Sequence, residues 1–264
     1  MRLRLQQDAR PQAMTLLVAT AISVLLWYLP YVGVLTYPFQ IFVTFIHEGG
    51  HALAALLTGN SVASVSVAMD TSGETYSLGE RGLLSTMFYL SAGYVGAMAF
   101  GALLLILIRK TVAARLVLLG SAILVFGLTI IFGLIKPIFS FNSWSGIPFT
   151  LLAGTLISVA LVLIARFASA RVAMFFTSFL AVQCVLKAIF DLKTLFWLST
   201  PFSGEAKHDA AYMAQATGIP ALIWVGIWIA LALGILWFAM RMYVAGRDQS
   251  YQPDLPFEET PPVV

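Results

Sequence analysis

The chain has 264 residues, of which 60% are hydrophobic and only 10% are charged. Soluble domains carry about a quarter charged residues, so the composition excludes a water-soluble globular protein. Lys and Arg outnumber Asp and Glu by 15 to 12, a net charge of +3, and the basic residues are scattered at the ends of apolar runs. This distribution is typical of membrane proteins and argues against a nucleic-acid partner.

Long uncharged segments predict helices that cross a bilayer. A span needs about 20 apolar residues in a helix, and the runs without Asp, Glu, Lys or Arg are 11–46, 82–108, 116–135, 137–165 and 210–240. We therefore predict an all-α, polytopic transmembrane bundle of about seven spans. Their approximate bounds are 13–29, 38–58, 82–108, 112–135, 147–165, 172–198 and 219–241.

The segment 61–78 departs from the helical pattern. Valines alternate with small polar residues in its first half, and Thr71-Ser72-Gly73 can form a turn. This pattern predicts a β-hairpin that is too short and too polar to cross the membrane. It lies within a predicted transmembrane domain, 13–247, which is flanked by a basic N-terminal tail, 1–12. The Pro-rich acidic tail 248–264 is predicted to be disordered.

Residues 47–51 read His-Glu-Gly-Gly-His, the H-E-x-x-H pattern, within the second predicted span. On a helix, residues four apart lie on one face, so the imidazoles of His47 and His51 can bind one Zn²⁺. Glu48 lies beside them, where it can hold a water molecule and accept its proton. The pattern therefore predicts a zinc-dependent hydrolase centre inside the membrane.

The surroundings of the motif favour this interpretation. Gln40, Thr44, His47 and His51 form one polar stripe along an otherwise apolar helix. A glutamate at membrane depth, such as Glu48, is costly and usually marks function. The alternative is a buried His–Glu hydrogen-bond network that only joins helices, but joining helices rarely requires this spacing.

The motif also contains two glycines, which are poor helix formers by about 1 kcal/mol each. Together with nearby alanines, Gly49 and Gly50 could let another backbone approach the helix closely. Ordinary small-residue packing between transmembrane helices is the alternative, and the sequence leaves both open.

A catalytic zinc usually has three protein ligands, so the motif lacks one. Our first candidate is Asp191 in the sixth predicted span, which shares a helix face with Cys184 and Lys187. The alternative is that Asp191 only pairs with Lys187 one turn away. The runner-up is Asp209, which belongs to the polar segment 199–217 that we expect at the surface.

Several segments share features with a known family. They are the sequence HEGGHAL at 47–53 on a membrane helix, the β-stretch 61–78 and the small-residue run SAGYVG at 91–96, with an aspartate in a later span. Together they resemble the site-2 protease-like family of intramembrane zinc metalloproteases, in a short bacterial form without a PDZ domain.

This resemblance implies roles for individual residues: His47 and His51 as zinc ligands, Glu48 as general base and Asp191 as third ligand. The family's aspartate is typically followed by glycine, whereas Leu192 follows Asp191 here. The segment 209–224 is similar to one in short bacterial members, which keeps Asp209 as the second candidate.

The resemblance implies a zinc-dependent endopeptidase that hydrolyses a peptide bond in or next to the transmembrane segment of a membrane protein. The implied cofactor is Zn²⁺, the substrate is a membrane protein or peptide, and the location is the bacterial inner membrane. Two alternatives stay open. One is an inactive relative that keeps the motif for structure, and the other is a metal or proton transporter that uses the same His, Glu and Asp groups.

Overall fold

The computed structural model describes residues 10–28, 33–79, 82–109, 114–140, 146–200 and 207–244. In chain order they form α1 (Arg10–Tyr28), α2 (Gly33–Leu57), β1 (Ser61–Val67), β2 (Gly73–Leu78), α3 (Leu83–Arg109), α4 (Ala114–Gly127), a π-helical segment (Leu128–Ile135), α5 (Lys136–Ser140), α6 (Ile147–Phe167), α7 (Ala170–Leu198), α8 (Asp209–Thr217) and α9 (Ala221–Val244). The predicted mainly helical class is confirmed. The predicted tail 248–264 and the first nine residues of the predicted N-terminal tail lie outside the described residues.

Within the described ranges, five helical segments are long and apolar enough to cross a membrane. They are Leu83–Ile108, Ala114–Ser140, Ile147–Phe167, Ala170–Leu198 and Ala221–Tyr243, and they correspond to the last five predicted spans. The count of seven is not confirmed. The apolar part of α1 is shorter, Met14–Leu26, and the two histidines and the glutamate of α2 make that helix more polar than a simple span.

The middle of helix α2 is enclosed by protein, whereas residues near its two ends, such as Val34 and Leu57, are exposed. It packs against α1, α3, α6, α7 and both strands, and its residues 41–46 are almost completely buried. Because the middle of this helix is surrounded by protein, it can carry polar side chains that would be costly on a lipid-facing surface.

The two glycines of α2 each face a close neighbour. A Cβ at Gly50 would overlap the carbonyl group of Ala92 on α3, and a Cβ at Gly49 would lie 2.8 Å from Leu128 Cδ1 in the π-helical segment. Gly50 therefore allows the backbones of α2 and α3 to approach, as the sequence suggested. The run 91–96 is the part of α3 that receives this contact.

The predicted hairpin is confirmed as a two-stranded antiparallel sheet in which Val67 pairs with Gly73. The valines of β1 are buried in the core, which fixes the face that the hairpin presents to the helices. The turn contains Thr71 with φ 71°. At the end of β1, the N–H of Val67 donates to Thr150 Oγ1 of α6 at 2.9 Å, so the strand is tied to a helix as well.

The polar segment before α9 is not a surface loop along its whole length. Its described part includes the short helix α8, in which Ala210 and Met213 are fully buried against α3 and α9. The expectation that this segment lies at the surface is wrong for α8, because small and apolar residues on one face of the helix pack into the bundle. This packing turns the first residue of α8, Asp209, towards α2.

Candidate metal centre

The two histidines of the motif face each other. His47 Nε2 and His51 Nε2 are 3.1 Å apart, and the two rings meet edge to face with their centroids 4.8 Å apart. His51 is buried, with 4% of its surface exposed, and His47 is partly buried. The one-turn spacing of the motif thus brings two metal-binding nitrogens to one point.

A backbone carbonyl fixes the protonation of one of these rings. The Nδ1–H of His51 donates to the carbonyl oxygen of Tyr89 at 2.8 Å. Because a carbonyl can only accept, Nδ1 carries a proton, and Nε2, which faces His47, is the nitrogen that can bind a metal. Metal-binding histidines typically have this second hydrogen bond, since it sets the tautomer and the ring orientation.

The carboxylate that joins the two histidines belongs to Asp209. Its Oδ2 lies 3.5 Å from His51 Nε2 and 3.9 Å from His47 Nε2. Asp209 begins α8, and the preceding His208 caps this helix by accepting a hydrogen bond from the N–H of Ala211. Burial by itself would raise the pKa of the Asp209 carboxyl, but the imidazoles of His51 and His47 hold that pKa below its usual value.

The three side chains fit a tetrahedral metal ion. Ligand atoms of His47, His51 and Asp209 all lie within 4.8 Å of one another. Two atoms that are each about 2.1 Å from a tetrahedral zinc are separated by about 3.4 Å, close to the three separations seen here. A set of two imidazoles and one carboxylate is also a donor combination that zinc accepts in catalytic centres.

Glu48 lies next to this cluster and is held by the hairpin. It is buried, with 4% exposed, and its Oε2 accepts a hydrogen bond from Thr75 Oγ1 at 2.7 Å. Its side chain also packs against Gly73, at which a Cβ would lie 2.7 Å from Glu48 Oε1. A carboxylate that is buried, oriented and adjacent to a metal site can act as a general base.

Asp191, the first candidate for the third ligand, is not part of this cluster. Its Oδ1 accepts a hydrogen bond from Lys187 Nζ one turn away on α7, which is the alternative that the spacing had left open. The structure therefore brings the runner-up, Asp209, to the two histidines in place of Asp191. His208 does not join the three ligands either, since its Nδ1 caps α8.

A cavity of about 1390 Å³ opens over the cluster. The candidate metal ligands and Glu48 line one part of it, hairpin residues 64–69 and 71–76 line a second, and Lys187, Asp191 and Lys207 line a third. The cavity has room for a peptide segment, and both hairpin residues and the two histidines line it.

Further residues of α3 complete the site. A Cβ at Gly93 would collide with Nε2 of both His47 and His51, so only glycine leaves the space between α3 and the histidines open. The next residue, Tyr94, meets the His47 ring edge-on at 4.6 Å and stacks on the fully buried Trp228.

These residues were not predicted from the sequence. The run 91–96 gave a weak indication, as a small-residue stretch in the resemblance. Nothing in the sequence pointed to Tyr89 or Thr75, because their roles depend on distant segments that meet only in the folded chain.

The match to a known family covers most of the chain. The family model described as Peptidase M50B-like, within the site-2 protease family, matches residues 15–239. The chain belongs to this family. Among curated proteins and among solved structures, no match is found.

Membership of the Peptidase M50B-like family confirms the resemblance seen in the sequence. The matched residues include both the H-E-x-x-H helix and α8, which together supply the candidate metal ligands. The M50 family implies metalloprotease activity in the membrane, and the five apolar helices agree with an integral membrane protein.

Proposed function

We propose that this Peptidase M50B-like protein is a zinc-dependent intramembrane endopeptidase. It hydrolyses a peptide bond in or next to the transmembrane segment of a membrane protein, in the inner membrane of a bacterial cell. The proposed metal ligands are His47, His51 and Asp209, and the proposed general base is Glu48. Asp209 replaces Asp191 as third ligand because Asp209 lies against the two histidines, whereas Asp191 binds Lys187.

One observation carries this proposal. Three ligand atoms from two helices that are far apart in sequence meet at separations suited to a tetrahedral metal, and a buried glutamate lies beside them. A network that only joined helices would not need His51 Nε2 to face His47 Nε2 while its Nδ1 donates to Tyr89.

The chain supplies the groups that the reaction needs. When bound, the metal would lower the pKa of a water molecule and polarise the scissile carbonyl. Glu48 accepts the proton of the attacking water and passes it to the leaving amine, so the residue returns to its ionised form. His47, His51 and Asp209 hold their positions during this step because all three are at least partly buried and packed.

The substrate must be extended before it is cleaved, because the carbonyl groups of a helix are engaged in their own hydrogen bonds. The cavity is bounded on one side by residues 64–69, most of which belong to strand β1. A peptide that lies there can form main-chain hydrogen bonds as it leaves the helical state, with its scissile bond near Glu48.

Metal analysis and a cleavage assay test the proposal together. The full-length protein is purified without chelators and its zinc content measured, for the wild type and for Glu48→Gln. We expect about one zinc per chain in both, since Glu48 is not a ligand. Both proteins are then reconstituted with membrane proteins extracted from the expression host, and new peptide termini are identified by mass spectrometry.

We expect new termini only with wild-type protein, and their disappearance after zinc is removed with a chelator. Absence of zinc in the wild type would refute the metal centre. Zinc without any Glu48-dependent termini would favour the inactive relative. Zinc flux into vesicles that is unaffected by Glu48→Gln would favour a transporter.

A further inference from the structure

One residue of the hairpin, Thr75, makes the only hydrogen bond to the Glu48 carboxylate among the described residues. Thr75 Oγ1 donates to Glu48 Oε2 at 2.7 Å and also lies 3.0 Å from the Glu48 backbone oxygen. A hydrogen bond to an ionised carboxylate is about twice as strong as one between neutral groups. The contact therefore restricts the carboxylate to one orientation.

A second feature of the same strand makes that orientation possible. Gly73 lies two residues before Thr75, on the same side of β2, and a Cβ there would fall 2.6 Å from Glu48 Cγ and 2.7 Å from Oε1. Any larger residue would displace the carboxylate. Strand β2 thus leaves space for the Glu48 side chain at Gly73 and supplies a hydrogen-bond donor to it at Thr75.

Thr75 is also connected to a metal ligand. The hydroxyl of Tyr89 donates to the Thr75 carbonyl oxygen at 2.5 Å, and the Tyr89 carbonyl accepts from His51 Nδ1. One strand residue therefore orients the candidate base directly and is linked to the candidate ligand His51 through a single tyrosine.

The strand cannot easily move away from Glu48. Thr44 Oγ1 of α2 donates to the Thr71 carbonyl in the turn at 2.7 Å, and Val67 on the partner strand is tied to Thr150 of α6. The buried valines of β1 add apolar contacts with the core. Because both sides of the hairpin are anchored, the position of Thr75 relative to α2 is fixed.

We propose that Thr75 is the positioning residue for the general base Glu48. By holding Oε2, it leaves Oε1 as the oxygen that receives the proton of the attacking water. A general base must lie within hydrogen-bond reach of that proton, so a freely rotating carboxylate would be in the productive orientation for only part of the time. This inference rests on the proposed endopeptidase function.

Three variants separate positioning from a structural role. Thr75→Val keeps the size and branching of the side chain but removes the hydroxyl, and Thr75→Ser keeps the hydroxyl. The matched control is Ser77→Ala, two residues further along β2. The Ser77 hydroxyl is buried and has no hydrogen-bond partner within the described part of the chain, so we expect its removal to leave activity unchanged.

The measurements use full-length protein in liposomes and the membrane-protein substrate that shows the strongest Glu48-dependent cleavage. For Thr75→Val we expect kcat to fall about 10- to 100-fold, the range for loss of a supporting hydrogen bond in a metal site. KM should stay within about twofold and bound zinc should be unchanged. Thr75→Ser should restore most of the lost kcat.

Two results would overturn the inference. One is a Thr75→Val protein with wild-type kcat. The other is a Thr75→Val protein that has lost its zinc or melts well below the wild type, because Thr75 would then only support the structure. If the wild type itself cleaves nothing, the proposed function fails, and that outcome is distinct from either result for Thr75.

Discussion

Two aspartates line the same cavity, and only one of them joins the histidines. Asp191 lies in α7, a long apolar helix, and binds Lys187 on the preceding turn. Asp209 begins α8, a helix of nine residues in a polar stretch, and reaches His47 and His51. Asp191 is therefore the aspartate outside the cluster, although it lies in the more apolar stretch of sequence.

The difference shows what decides the role of a carboxylate in this protein. A cation four residues away neutralises Asp191 within its own helix, and this pair satisfies both groups without a metal. Asp209 has no basic residue on its own short helix, and its carboxylate lies against the two histidines of α2. Charge balance around each aspartate, rather than hydropathy, separates them.

The strongest test of this comparison is to remove each carboxylate in turn. We expect Asp209→Asn to weaken zinc binding by more than about 100-fold, because even residues that only support a metal ligand contribute 10- to 100-fold. Asp191→Asn should bind zinc as the wild type does. Zinc content after dialysis against a chelator of known affinity measures both.

Loss of zinc from Asp191→Asn together with retention in Asp209→Asn would restore the assignment made from the sequence. Equal loss from both would mean that the two helices move together when the metal binds. A melting curve in detergent for each variant separates loss of a ligand from loss of the fold.

The fold could be predicted from the sequence wherever a local pattern determines it. Long apolar segments, one of which contains charged residues, located the last five helices to within about five residues. The alternation of valines with polar residues located the hairpin. The failures arose where packing decides. Helix α2 begins before Pro38, at Gly33, and α8 is buried by contacts with α3 and α9 that no local pattern encodes.

The candidate site follows the same division. His47, Glu48 and His51 could be predicted because their spacing along one helix is enough to place their side chains together. The other members come from segments far away in sequence: Thr75 from the hairpin, Gly93 from α3 and Asp209 from α8. Their positions depend on how these segments pack, so the choice between Asp191 and Asp209 required the structure.

A second test asks whether metal binding by His47 and His51 depends on the open space beside Gly93 as well as on the nearby carboxylate. In Gly93→Ala the new methyl group would collide with Nε2 of both His47 and His51, so we expect zinc affinity to fall about 10-fold or more, given that overpacking costs about 1–3 kcal/mol. Gly96→Ala, one turn later on α3, is the matched control. Its methyl group would meet only Gly50 Cα at 3.6 Å, an ordinary contact, and zinc affinity should be unchanged.

Loss of the ion pair of Asp191 should change the stability of the protein and leave its zinc content unchanged. Lys187→Met leaves Asp191 without its cation, and we expect a loss of about 1–3 kcal/mol, or a Tm lower by several degrees. The double variant Lys187→Met with Asp191→Asn should recover most of the Tm, since no unpaired charge remains. Zinc content should be normal in both. A zinc-free Lys187→Met protein that is still folded would contradict the separation of the two aspartates.

The smallest effect concerns the residue that sets the start of α8. His208 caps this helix through a hydrogen bond to the N–H of Ala211, and a helix N-cap contributes about 0.5–2 kcal/mol. In His208→Ala the first turn should fray, so Asp209 would be held less firmly and zinc affinity should fall by a few-fold. Asparagine is a strong N-cap residue, so His208→Asn should keep the affinity of the wild type. If both variants lose zinc equally, the imidazole of His208 acts on the metal centre by a route other than capping, and the position of Asp209 does not depend on the cap.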